Sequence, residues 1–466
     1  MEQTSGDRPT TRIDGIVERF RRMIEAGLLK PGERIASVRQ AAVDHAVSKN
    51  TVAEAYDRLV GLGHLEARPG SGYFVAAGAR LAQSRPSPHV AEALDLVSLL
   101  REQLDHHYDV RPGDGRPPAS WMAGSKLGLQ FRRAHSHAGI EFGYGSSWGY
   151  LPLRERICLS LAERSVVCAP EQVLLTQGAN HALDLIIRHL LEPGDVVFVD
   201  DPGYYPLFGK LRLAKVRMVG IRRRPDGPDL ADLADNLAKV RPKLFFTQSL
   251  AHNPTGGTLS LPVAYGVLQA AERHGFAIVE DDAFADIVSP ARPRLAALDG
   301  LKRVLYVGTF AKTLSASLRV GFVASSPALA QGLADLKLLT VVATSDHVEH
   351  FVFDLIADGH YQRHLRRLRA RVQEVTTKAI VDLERVGLKL AHPRDGGFYL
   401  WAELPLALDE LLLCRHAAAD GIFLAPGGVF SPERALRRPA AIRINVAHAS
   451  QPRFLSFLRH MLASAD

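Results

Sequence analysis

The stretch Thr309-Phe-Ala-Lys312-Thr-Leu-Ser-Ala-Ser-Leu-Arg319-Val-Gly321 places a hydroxyl, a lysine and an arginine on one loop rich in small residues. The apolar run Val304-Leu-Tyr-Val-Gly308 precedes it and predicts a buried strand. A lysine at the end of a buried strand is costly unless it is paired or chemistry removes its charge. A Schiff-base lysine beside a phosphate-binding threonine and arginine would explain all three side chains. A solvent-exposed loop would explain them equally well, so the surroundings must decide.

Apolar runs alternate with helical patterns from about residue 119 onward. The predicted strands are 173–175, 196–199, 244–247, 277–279 and 304–307. Helices such as 179–191 and 262–274 are predicted between them, and this alternation is typical of an α/β domain with a largely parallel sheet. The sequence has neither a G-x-G-x-x-G motif after a strand nor a Walker A lysine motif, which argues against a dinucleotide-binding fold and a P-loop.

Two segments after predicted strands suit a phosphorylated ring, at the edge where α/β folds bind ligands. Thr176-Gln-Gly-Ala-Asn180 opens a helix and predicts an anion site at the N–H groups of Gly178 and Ala179. Asp201-Pro-Gly-Tyr-Tyr205 offers Tyr204 for stacking on a flat ring. Taken alone, a structural tyrosine is the commoner case, and many strand–helix turns look like the first segment.

Two more segments add an amide and a group of carboxylates. Ala251-His-Asn-Pro-Thr-Gly-Gly257 is a tight turn that presents Asn253, although turn formation alone would explain an asparagine there. Val279-Glu-Asp281-Asp282 ends a strand with three carboxylates in succession, which require a cation or a protonated partner. A pyridinium nitrogen is one candidate and a metal ion another, but no His or Cys cluster at a compatible spacing completes a metal site.

The length and composition indicate an ordinary globular protein of two or three domains. The chain has 466 residues, of which 47% are hydrophobic and 23% charged. No apolar run reaches membrane-spanning length, and the polar segment 1–7 lacks the apolar core of a signal peptide, so a cytoplasmic protein is expected. Cys158, Cys168 and Cys414 show neither metal-binding spacing nor a disulfide framework.

The net charge of +7 weakly favours anionic partners. Residues 1–80 hold 12 Lys and Arg against 10 Asp and Glu, so bulk charge does not locate a nucleic-acid site. Further along, a run of arginines comprises Arg363, Arg366, Arg367, Arg369 and Arg371. Because Leu365, Leu368 and Val372 place an apolar stripe through the run, we predict one amphipathic helix with a basic outer face, and DNA contact is the less favoured alternative.

The N-terminal region predicts three helices and a hairpin. Apolar residues at helical spacing run from about residue 12 to Gly27, and Ser37 and Ser48 each stand where a helix N-cap is expected. Two short strands then flank the glycine-rich segment 68–71. In a helix-turn-helix the second helix enters the major groove with its N-terminal residues foremost. Periodicity alone leaves open a helical subdomain that binds no DNA.

The segment SVRQAA…SKNTVAEAYDRLVGLGHLEARPGSGYFV resembles, nearly position by position, the winged helix of GntR-type transcription regulators, and the resemblance covers about residues 10–77. It implies contacts with double-stranded DNA at Arg39, Ser48, Lys49, Thr51, Gly70, Ser71 and Gly72. Ile35-Ala36 departs from the usual Leu-Pro, which alters a turn rather than a contact. Residues 78–118 are predicted as a linker because Pro and Gly punctuate them, with one short helix through Leu94 to Leu104.

The ordered series GAN, PGYY, NPTG, DD, K and R resembles the fold type I aminotransferases that bind pyridoxal 5'-phosphate, over about residues 119–466. The resemblance implies an α/β fold with a small C-terminal α+β subdomain. It implies that Lys312 forms the aldimine with the cofactor, that Asp281 pairs with the pyridine nitrogen and that Asn253 donates to the ring oxygen. The remaining implied roles are stacking by Tyr204, phosphate binding by Gly178, Ala179, Thr309, Arg319 and, across a dimer interface, Tyr144, and binding of a substrate α-carboxylate by Arg443.

Two departures from this second pattern bear on catalytic efficiency. Phe284 stands where many members carry a tyrosine, so a hydrogen bond to the ring oxygen is not expected from this position. Ala316 stands where proline is common, which loosens the loop after Lys312. Neither departure argues against cofactor binding.

The whole chain resembles the MocR-type transcription regulators, in which a GntR-type winged helix is fused to an aminotransferase-like domain. The resemblance implies a regulator that senses an amino compound, or the cofactor itself, through Lys312. It further implies a domain-swapped homodimer that binds paired half-sites on DNA. A working aminotransferase that carries a winged helix stays open as the alternative, as does a regulator that retains only a slow half-reaction.

Overall fold

The computed structural model describes residues 12–25, 28–76, 97–122, 144–284, 286–288, 292, 294–391, 397–433 and 440–463. The chain divides into two compact units, Met1–Pro86 and Ser87–Asp466, which are described separately. Among the described residues, no helix has the length and apolar character needed to cross a membrane.

The first unit is a small helical domain with a hairpin. Its elements are α1 (Arg12–Glu25), α2 (Val38–Asp44), α3 (Lys49–Gly61), β1 (Leu65–Arg68) and β2 (Gly72–Val75). The aromatic rings of Phe20, Tyr56 and Tyr73 form its core, with centroids 5.4 and 5.0 Å apart along the row. The predicted helices and wing are confirmed, although the predicted end of the first helix at Gly27 lies outside the described residues.

The turn before α2 is fixed from the core. The Tyr56 hydroxyl donates to the carbonyl oxygen of Ala36 at 3.0 Å, and Ile35 beside it is buried. The Ile35-Ala36 departure from the family pattern therefore keeps an apolar anchor and a backbone hydrogen bond at this turn.

A large mixed sheet forms the centre of the second unit. Its strands are β3 (Val173–Thr176), β4 (Val196–Asp201), β5 (Arg217–Arg224), β6 (Gly227–Pro228), β7 (Leu244–Thr247), β8 (Ala277–Asp281), β9 (Val304–Thr309) and β10 (Gly321–Ala324). Their order across the sheet is β3-β10-β9-β8-β7-β4-β5-β6. The strands β9, β8, β7, β4 and β5 are parallel to one another, whereas β10 is antiparallel to both of its neighbours and β6 is antiparallel to β5. The five predicted strands and the largely parallel sheet are confirmed.

The helices of the second unit cover both faces of this sheet or pack on the C-terminal part of the unit. They are α4 (Ser98–Asp105), α5 (Ala119–Met122), α6 (Leu151–Ala162), α7 (Ala179–Leu190), α8 (Tyr205–Leu213), α9 (Leu230–Leu237), α10 (Leu261–His274), α11 (Leu295–Asp299), α12 (Pro327–Val341), α13 (Asp346–Ala357), α14 (His360–Arg385), α15 (Glu410–Ala419), α16 (Val446–Ala449) and α17 (Pro452–Ala463). Successive strand residues enter different hydrophobic clusters: Phe198 packs with α6 and α10, and Val197 and Val199 pack with α7 and α8. This alternation explains why the strands are apolar throughout, since both faces are buried.

A second, antiparallel sheet lies in the C-terminal part. Its strands are β11 (Lys389–Ala391), β12 (Tyr399–Glu403), β13 (Ala425–Pro426) and β14 (Ala441–Asn445), in the order β11-β12-β14-β13. Residues of α14, α15 and α17 pack on it in a separate hydrophobic cluster. The predicted small α+β subdomain is confirmed.

The described part of the predicted linker differs from the prediction. Val110 forms a bridge with Ile422, and the Gly113 N–H donates to the carbonyl oxygen of Phe423 at 2.7 Å. A Cβ atom on Gly113 would lie 2.5 Å from the carbonyl carbon of Leu424, so only glycine permits this approach. Residues 97–118 therefore belong to the second unit, and their Pro and Gly residues serve close packing rather than a tether.

The arginine run lies on α14, as predicted. Leu365, Leu368 and Val372 are buried, whereas the side chains of Arg363 and Arg366 are exposed. Arg369 is half-buried and donates to the carbonyl oxygen of Asp286 at 2.7 Å. The helix is thus amphipathic, and the alternative of DNA contact stays a prediction.

Candidate functional site

Strand β10 places the lysine loop beside the predicted anion turn. Gly321 is paired with Thr176 on one side and with Thr309 on the other. A Cβ atom on Gly321 would lie 2.7 Å from the carbonyl carbon of Gly178 and 2.8 Å from the carbonyl oxygen of Gly308. Glycine at this position therefore brings the two loops together at one edge of the sheet.

The anion turn and Arg319 meet at close range. Gly178 is the N-cap of α7 with a φ of 76°, and a Cβ atom there would lie 2.8 Å from Nη2 of Arg319. Arg319 itself has a φ of 53°, and its Nη2 donates to the carbonyl oxygen of Gln177 at 3.0 Å. A helix N-terminus that begins at Ala179 and an exposed guanidinium thus share one concave site, which suits a phosphate. Thr309 lies across β10 from this turn.

Lys312 is half-buried, and its Nζ donates to the carbonyl oxygen of Gly115 at 2.6 Å. Burial, together with the positive charge of Arg443, lowers the pKa of Lys312 to about 8, against the opposing effect of Asp114 and Asp281. A lysine with this pKa is about one tenth neutral at pH 7, far more than an ordinary lysine, and the neutral amine is the form that attacks a carbonyl group.

The three successive carboxylates of β8 do not share one cation. Glu280 accepts the first backbone N–H groups of α11, at 3.0 and 2.8 Å. Asp282 Oδ2 accepts from Nε of Arg294 at 2.8 Å and from the hydroxyl of Tyr306 at 2.8 Å. Because alternate strand residues point to opposite faces, Asp281 is separated from both. The crowding expected from sequence is thus resolved by partners within the chain.

Asp281 has one oxygen engaged and one without a partner. Its Oδ2 accepts from Nε2 of Gln248 at 2.9 Å, whereas Oδ1 is buried and makes no hydrogen bond to the residues that the structure describes. Burial raises the pKa of Asp281 to about 6. A cation against Oδ1 would favour the ionised form.

Tyr204 lines the same small cavity as Asp281 and Gln248. It is half-buried at the start of α8, and its hydroxyl lies 3.4 Å from Oδ1 of Asn180. Burial raises the pKa of Tyr204, so it is a neutral hydrogen-bond donor at physiological pH. Its ring and the Asp281 carboxylate are therefore available to one flat, cationic heterocycle.

Arg443 and Asn253 are joined directly. Nη1 of Arg443 donates to Oδ1 of Asn253 at 2.9 Å, and Nη2 donates to the carbonyl oxygen of Gly113 at 2.7 Å. The guanidinium is buried, with 1% of the residue exposed, and lies 4.7 Å above the ring of Tyr399. Both acceptors are neutral oxygens, so these bonds do not neutralise the charge, which a carboxylate would.

Sequence reasoning missed three contributors to this site. Gln248 bridges Asp281 and the backbone N–H of Asn253, which donates to Gln248 Oε1 at 2.7 Å. Gln248 directly follows β7, so it could have been selected as a residue at the edge where α/β folds bind ligands. Gly115 accepts from Lys312 and also from the Tyr399 hydroxyl at 2.9 Å. Neither residue carries a local signal, because Gly115 lay in the predicted linker and Tyr399 lies within a strand.

The structure describes the two residues that depart from the aminotransferase pattern, Phe284 and Ala316, and also Tyr144. Phe284 is buried edge-on against Tyr399, with ring centroids 5.5 Å apart, so it contributes packing and no hydroxyl. Ala316 begins a short 3-10 turn that ends at Leu318. Tyr144 is 91% exposed, and its predicted role across a dimer interface stays a prediction.

The predicted DNA-reading side chains stand at two exposed places of the first unit. Ser48 caps α3: its Oγ accepts the backbone N–H of Thr51 at 3.1 Å and lies 2.8 Å from Oγ1 of the same residue. Lys49 is exposed on the first residue of α3, and Arg39 is exposed on α2. The cap leaves short polar groups and cations at the end of α3 that a recognition helix presents to DNA.

The wing tip is a tight glycine turn. The Ser71 N–H donates to the carbonyl oxygen of Arg68 at 2.9 Å, and the φ angles of Gly70 and Gly72 are 72° and 103°. These angles favour glycine, and the absence of side chains lets the backbone approach a narrow groove.

Comparison with known proteins matches each of the two units with a different protein family. Residues 12–75 match the gntR family of bacterial regulatory proteins, and residues 111–460 match the class I and II aminotransferases. The probable rhizopine catabolism regulatory protein MocR of Rhizobium meliloti is 32% identical over 434 residues, which cover 88% of this chain and 85% of that protein. The 2-aminoadipate transaminase of Thermus thermophilus is 32% identical over 298 residues, 62% of this chain and 74% of that protein.

Among solved structures, α-aminoadipate aminotransferase LysN of Thermus thermophilus, complexed with N-(5'-phosphopyridoxyl)-L-leucine, matches with a TM-score of 0.72 and 27% identity. The match covers 80% of this chain and 97% of LysN, and it confirms the predicted fold type I architecture. With the gntR-family match at its N-terminus and the aminotransferase match over most of its length, this chain belongs to the MocR-type transcription regulators.

Proposed function

We propose that this regulator holds pyridoxal 5'-phosphate on Lys312 and senses an amino compound that carries a carboxylate. The observation that carries the proposal is the joint position of Lys312 and Arg443. A lysine with a pKa of about 8 lies close enough to a buried arginine for the arginine charge to lower that pKa. An amine-reactive group and a carboxylate-binding group side by side fit an α-amino acid or a close analogue.

The residues present fit the cofactor at three points. Oδ1 of Asp281, which has no hydrogen-bond partner among the described residues, could accept from a pyridinium N–H. The ring of Tyr204, which lines the cavity, could stack on the face of the cofactor ring. The concave site between Gly178 and Arg319 suits the phosphate, because a Cβ atom at Gly178 would fill it. When bound, the cofactor supplies an aldehyde that combines reversibly with primary amines.

Residues of this chain would then orient the cofactor and the ligand and exclude water from the site. Gln248 would hold Asp281 through Oδ2 so that Oδ1 faces the ring nitrogen. Arg443 would bind the ligand carboxylate, and Asn253, whose Oδ1 accepts from Arg443, would donate from Nδ2 to the ring oxygen. Phe284 and Tyr399 would keep water from that side of the site.

The readout would be a change in how the first unit binds its operator. The family implies a domain-swapped homodimer, and the exposed Tyr144 would then reach the phosphate of the partner's site. Two readers would recognise paired half-sites, with Arg39, Ser48, Lys49, Thr51 and the wing in contact with DNA. Coupling requires that the ligand favour one arrangement of the dimer over another.

The variant Lys312→Ala tests whether Lys312 holds the cofactor and whether it is needed to sense amino acids. We expect the variant to lose the visible absorbance of bound pyridoxal 5'-phosphate and the effect of amino acids on operator binding, while operator binding itself persists. Lys239→Ala, a change at an exposed lysine of the same unit, is the matched control and should behave as the unmodified protein. A normal absorbance band in Lys312→Ala would show that another amine holds the cofactor.

The variant Lys49→Ala tests whether α3 contacts the operator. A side chain at a phosphate or base edge is worth about 1–3 kcal/mol, so operator affinity should fall about 5-fold to 150-fold with the cofactor band unchanged. Gel-shift or anisotropy titrations at fixed salt, with Lys239→Ala as control, measure this. Equal affinities of the two variants would refute the placement of α3 in the groove.

A working aminotransferase is the second candidate, because the predicted residues for transamination are nearly all present and a relative is named 2-aminoadipate transaminase. Phe284, which brings no hydroxyl, argues against efficient turnover. Assays with several amino donors and a keto acid distinguish the two. Sustained multiple turnover at ordinary enzyme rates would overturn the sensor proposal, whereas a single slow half-reaction agrees with it.

A further inference from the structure

Two of the three cysteines lie against each other and pack against one hydrophobic cluster of the second unit. Cys158 is on α6, and Cys168 is on the segment that leads into β3. Their Sγ atoms are 3.6 Å apart, and both residues are half-buried. Cys414 lies in a different cluster, on the C-terminal subdomain. The chain thus holds a thiol pair and, in the third cysteine, an internal control.

The surroundings make the two thiols unequal. Cys168 donates its thiol hydrogen to Cys158, and this bond together with the nearby guanidinium of Arg154 lowers the pKa of Cys158 despite burial. The same hydrogen bond and burial raise the pKa of Cys168. Cys158 is therefore the better nucleophile of the two, and a second thiol stands ready to react with whatever forms on it.

The pair also has room to close. A disulfide needs a sulfur–sulfur distance of about 2.05 Å, so the two atoms must approach by about 1.5 Å. Cys168 lies on an irregular segment rather than within a helix or strand, and its neighbour Val167 is 79% exposed. A small movement of this segment is less restricted than movement of α6.

We propose that Cys158 and Cys168 form a redox modification site at which a peroxide produces a reversible intramolecular disulfide. The Cys158 thiolate attacks the peroxide, so that a sulfur–oxygen bond forms, the oxygen–oxygen bond breaks and hydroxide leaves to become water. The Cys168 sulfur then attacks the oxidised Cys158 sulfur, the sulfur–sulfur bond forms, and the oxygen departs as a second water. The two sulfurs lose two electrons in total, which the peroxide accepts, and a dithiol reverses the reaction.

The location gives such a bridge structural consequences. Arg154, one turn before Cys158 on α6, donates to the carbonyl oxygens of Gly149 at 3.3 Å and Pro170 at 2.8 Å. Gly149 ends the segment that begins at Tyr144, and Pro170 opens the turn into β3, which ends at Thr176. The bridge would join the two chain segments that lead to the anion turn and to Tyr144. The thiol chemistry itself does not depend on cofactor binding.

The test uses the reduced full-length protein and hydrogen peroxide. We expect two of the three thiols to disappear without formation of covalent dimers, and dithiothreitol to restore them. Arg164 lies between the two cysteines, so trypsin digestion of the denatured protein should yield two peptides held together only by the bridge. Cys414→Ser should behave as the unmodified protein.

Two further variants separate the roles of the thiols. Cys168→Ser should stop at a dimedone-reactive sulfenic acid on Cys158, and Cys158→Ser should lose most of the reaction with peroxide. The urea unfolding midpoint of each variant, compared with that of Cys414→Ser, reports whether the second unit is folded. The proposal is overturned if the bridged peptide pair does not form in Cys414→Ser, or if Cys158→Ser and Cys168→Ser form dimedone adducts equally.

Discussion

The pKa of Lys312 predicts a specific pH profile for cofactor capture. With a pKa of about 8, the neutral fraction of the amine is about 9% at pH 7 and about 91% at pH 9. The rate of covalent reaction with pyridoxal 5'-phosphate should therefore rise about tenfold between these values and then level off. A lysine with the ordinary value of 10.5 would give about a hundredfold rise over the same interval and no plateau.

The assay is stopped-flow mixing of cofactor-free protein with pyridoxal 5'-phosphate, followed by its visible absorbance. The cofactor has titrating groups of its own, so each rate is divided by the rate constant of the neutral form of a small amine, which is its observed rate at the same pH divided by its neutral fraction. The ratio then contains only the titration of the protein amine. A logarithmic rate that continues to climb by one unit per pH unit beyond pH 9 would refute the argument.

Two substitutions should move the plateau in opposite directions. Arg443→Gln removes a positive charge that lowers the pKa of Lys312, so the plateau should move to higher pH. Asp281→Asn removes a negative charge that raises it, so the plateau should move to lower pH. Shifts of the same sign in both variants would show that these charges do not act on Lys312.

The same pKa has a consequence for stability without cofactor. The folded-state pKa of Lys312 lies below its unfolded value, so between about pH 8 and 10.5 the unfolded chain binds more protons. The contribution of Lys312 to the free energy of unfolding should therefore rise with pH across this window.

Two other predictions concern the free energy of unfolding, measured by urea titration. Gly321→Ala should lower it by about 1–3 kcal/mol, because the new methyl group would meet backbone atoms at 2.7 and 2.8 Å. Gly61→Ala, which meets nothing within 4 Å, should show no such loss, and equal effects would contradict the packing argument. Arg294→Met should cost about 3–5 kcal/mol because it leaves the buried Asp282 carboxylate without its cation. Adding Asp282→Asn to Arg294→Met should restore part of the lost free energy of unfolding. A further decrease would contradict the pairing of Asp282 with Arg294.

The sequence predicted those features that depend on local pattern. The caps of α2 and α3 follow from Ser37 and Ser48, because a serine side chain bonds to a backbone N–H three residues away. The five predicted strands follow from apolar runs that both faces of the sheet require. Asp281 and Lys312 could be selected because parallel strands end at one edge of the sheet.

Features that depend on distant packing were not predictable in this way. Gly113 and Gly115 contact residues about three hundred positions further along the chain, and their Pro and Gly neighbours are equally typical of a tether. Strand β10 is only four residues long, and its role depends on Gly321 fitting between two other strands. The separate partners of Glu280, Asp281 and Asp282 likewise follow only from which helix covers each face.

The segment 113–115 has a consequence for how a signal could leave the pocket. Its carbonyl oxygens hold Lys312, Arg443 and Tyr399, and its backbone continues, toward the N-terminus, into the chain that ends at the winged helix. A ligand that engaged Lys312 would remove its bond to Gly115, while the bonds of Gly113 to Phe423 and of Asp114 to Asn445 would remain. One hydrogen bond contributes about 0.5–1.5 kcal/mol, and coupling free energies between sites are typically about 1–3 kcal/mol. Occupancy of Lys312 would thus change the restraint on the backbone of 113–115, in addition to the charge within the pocket.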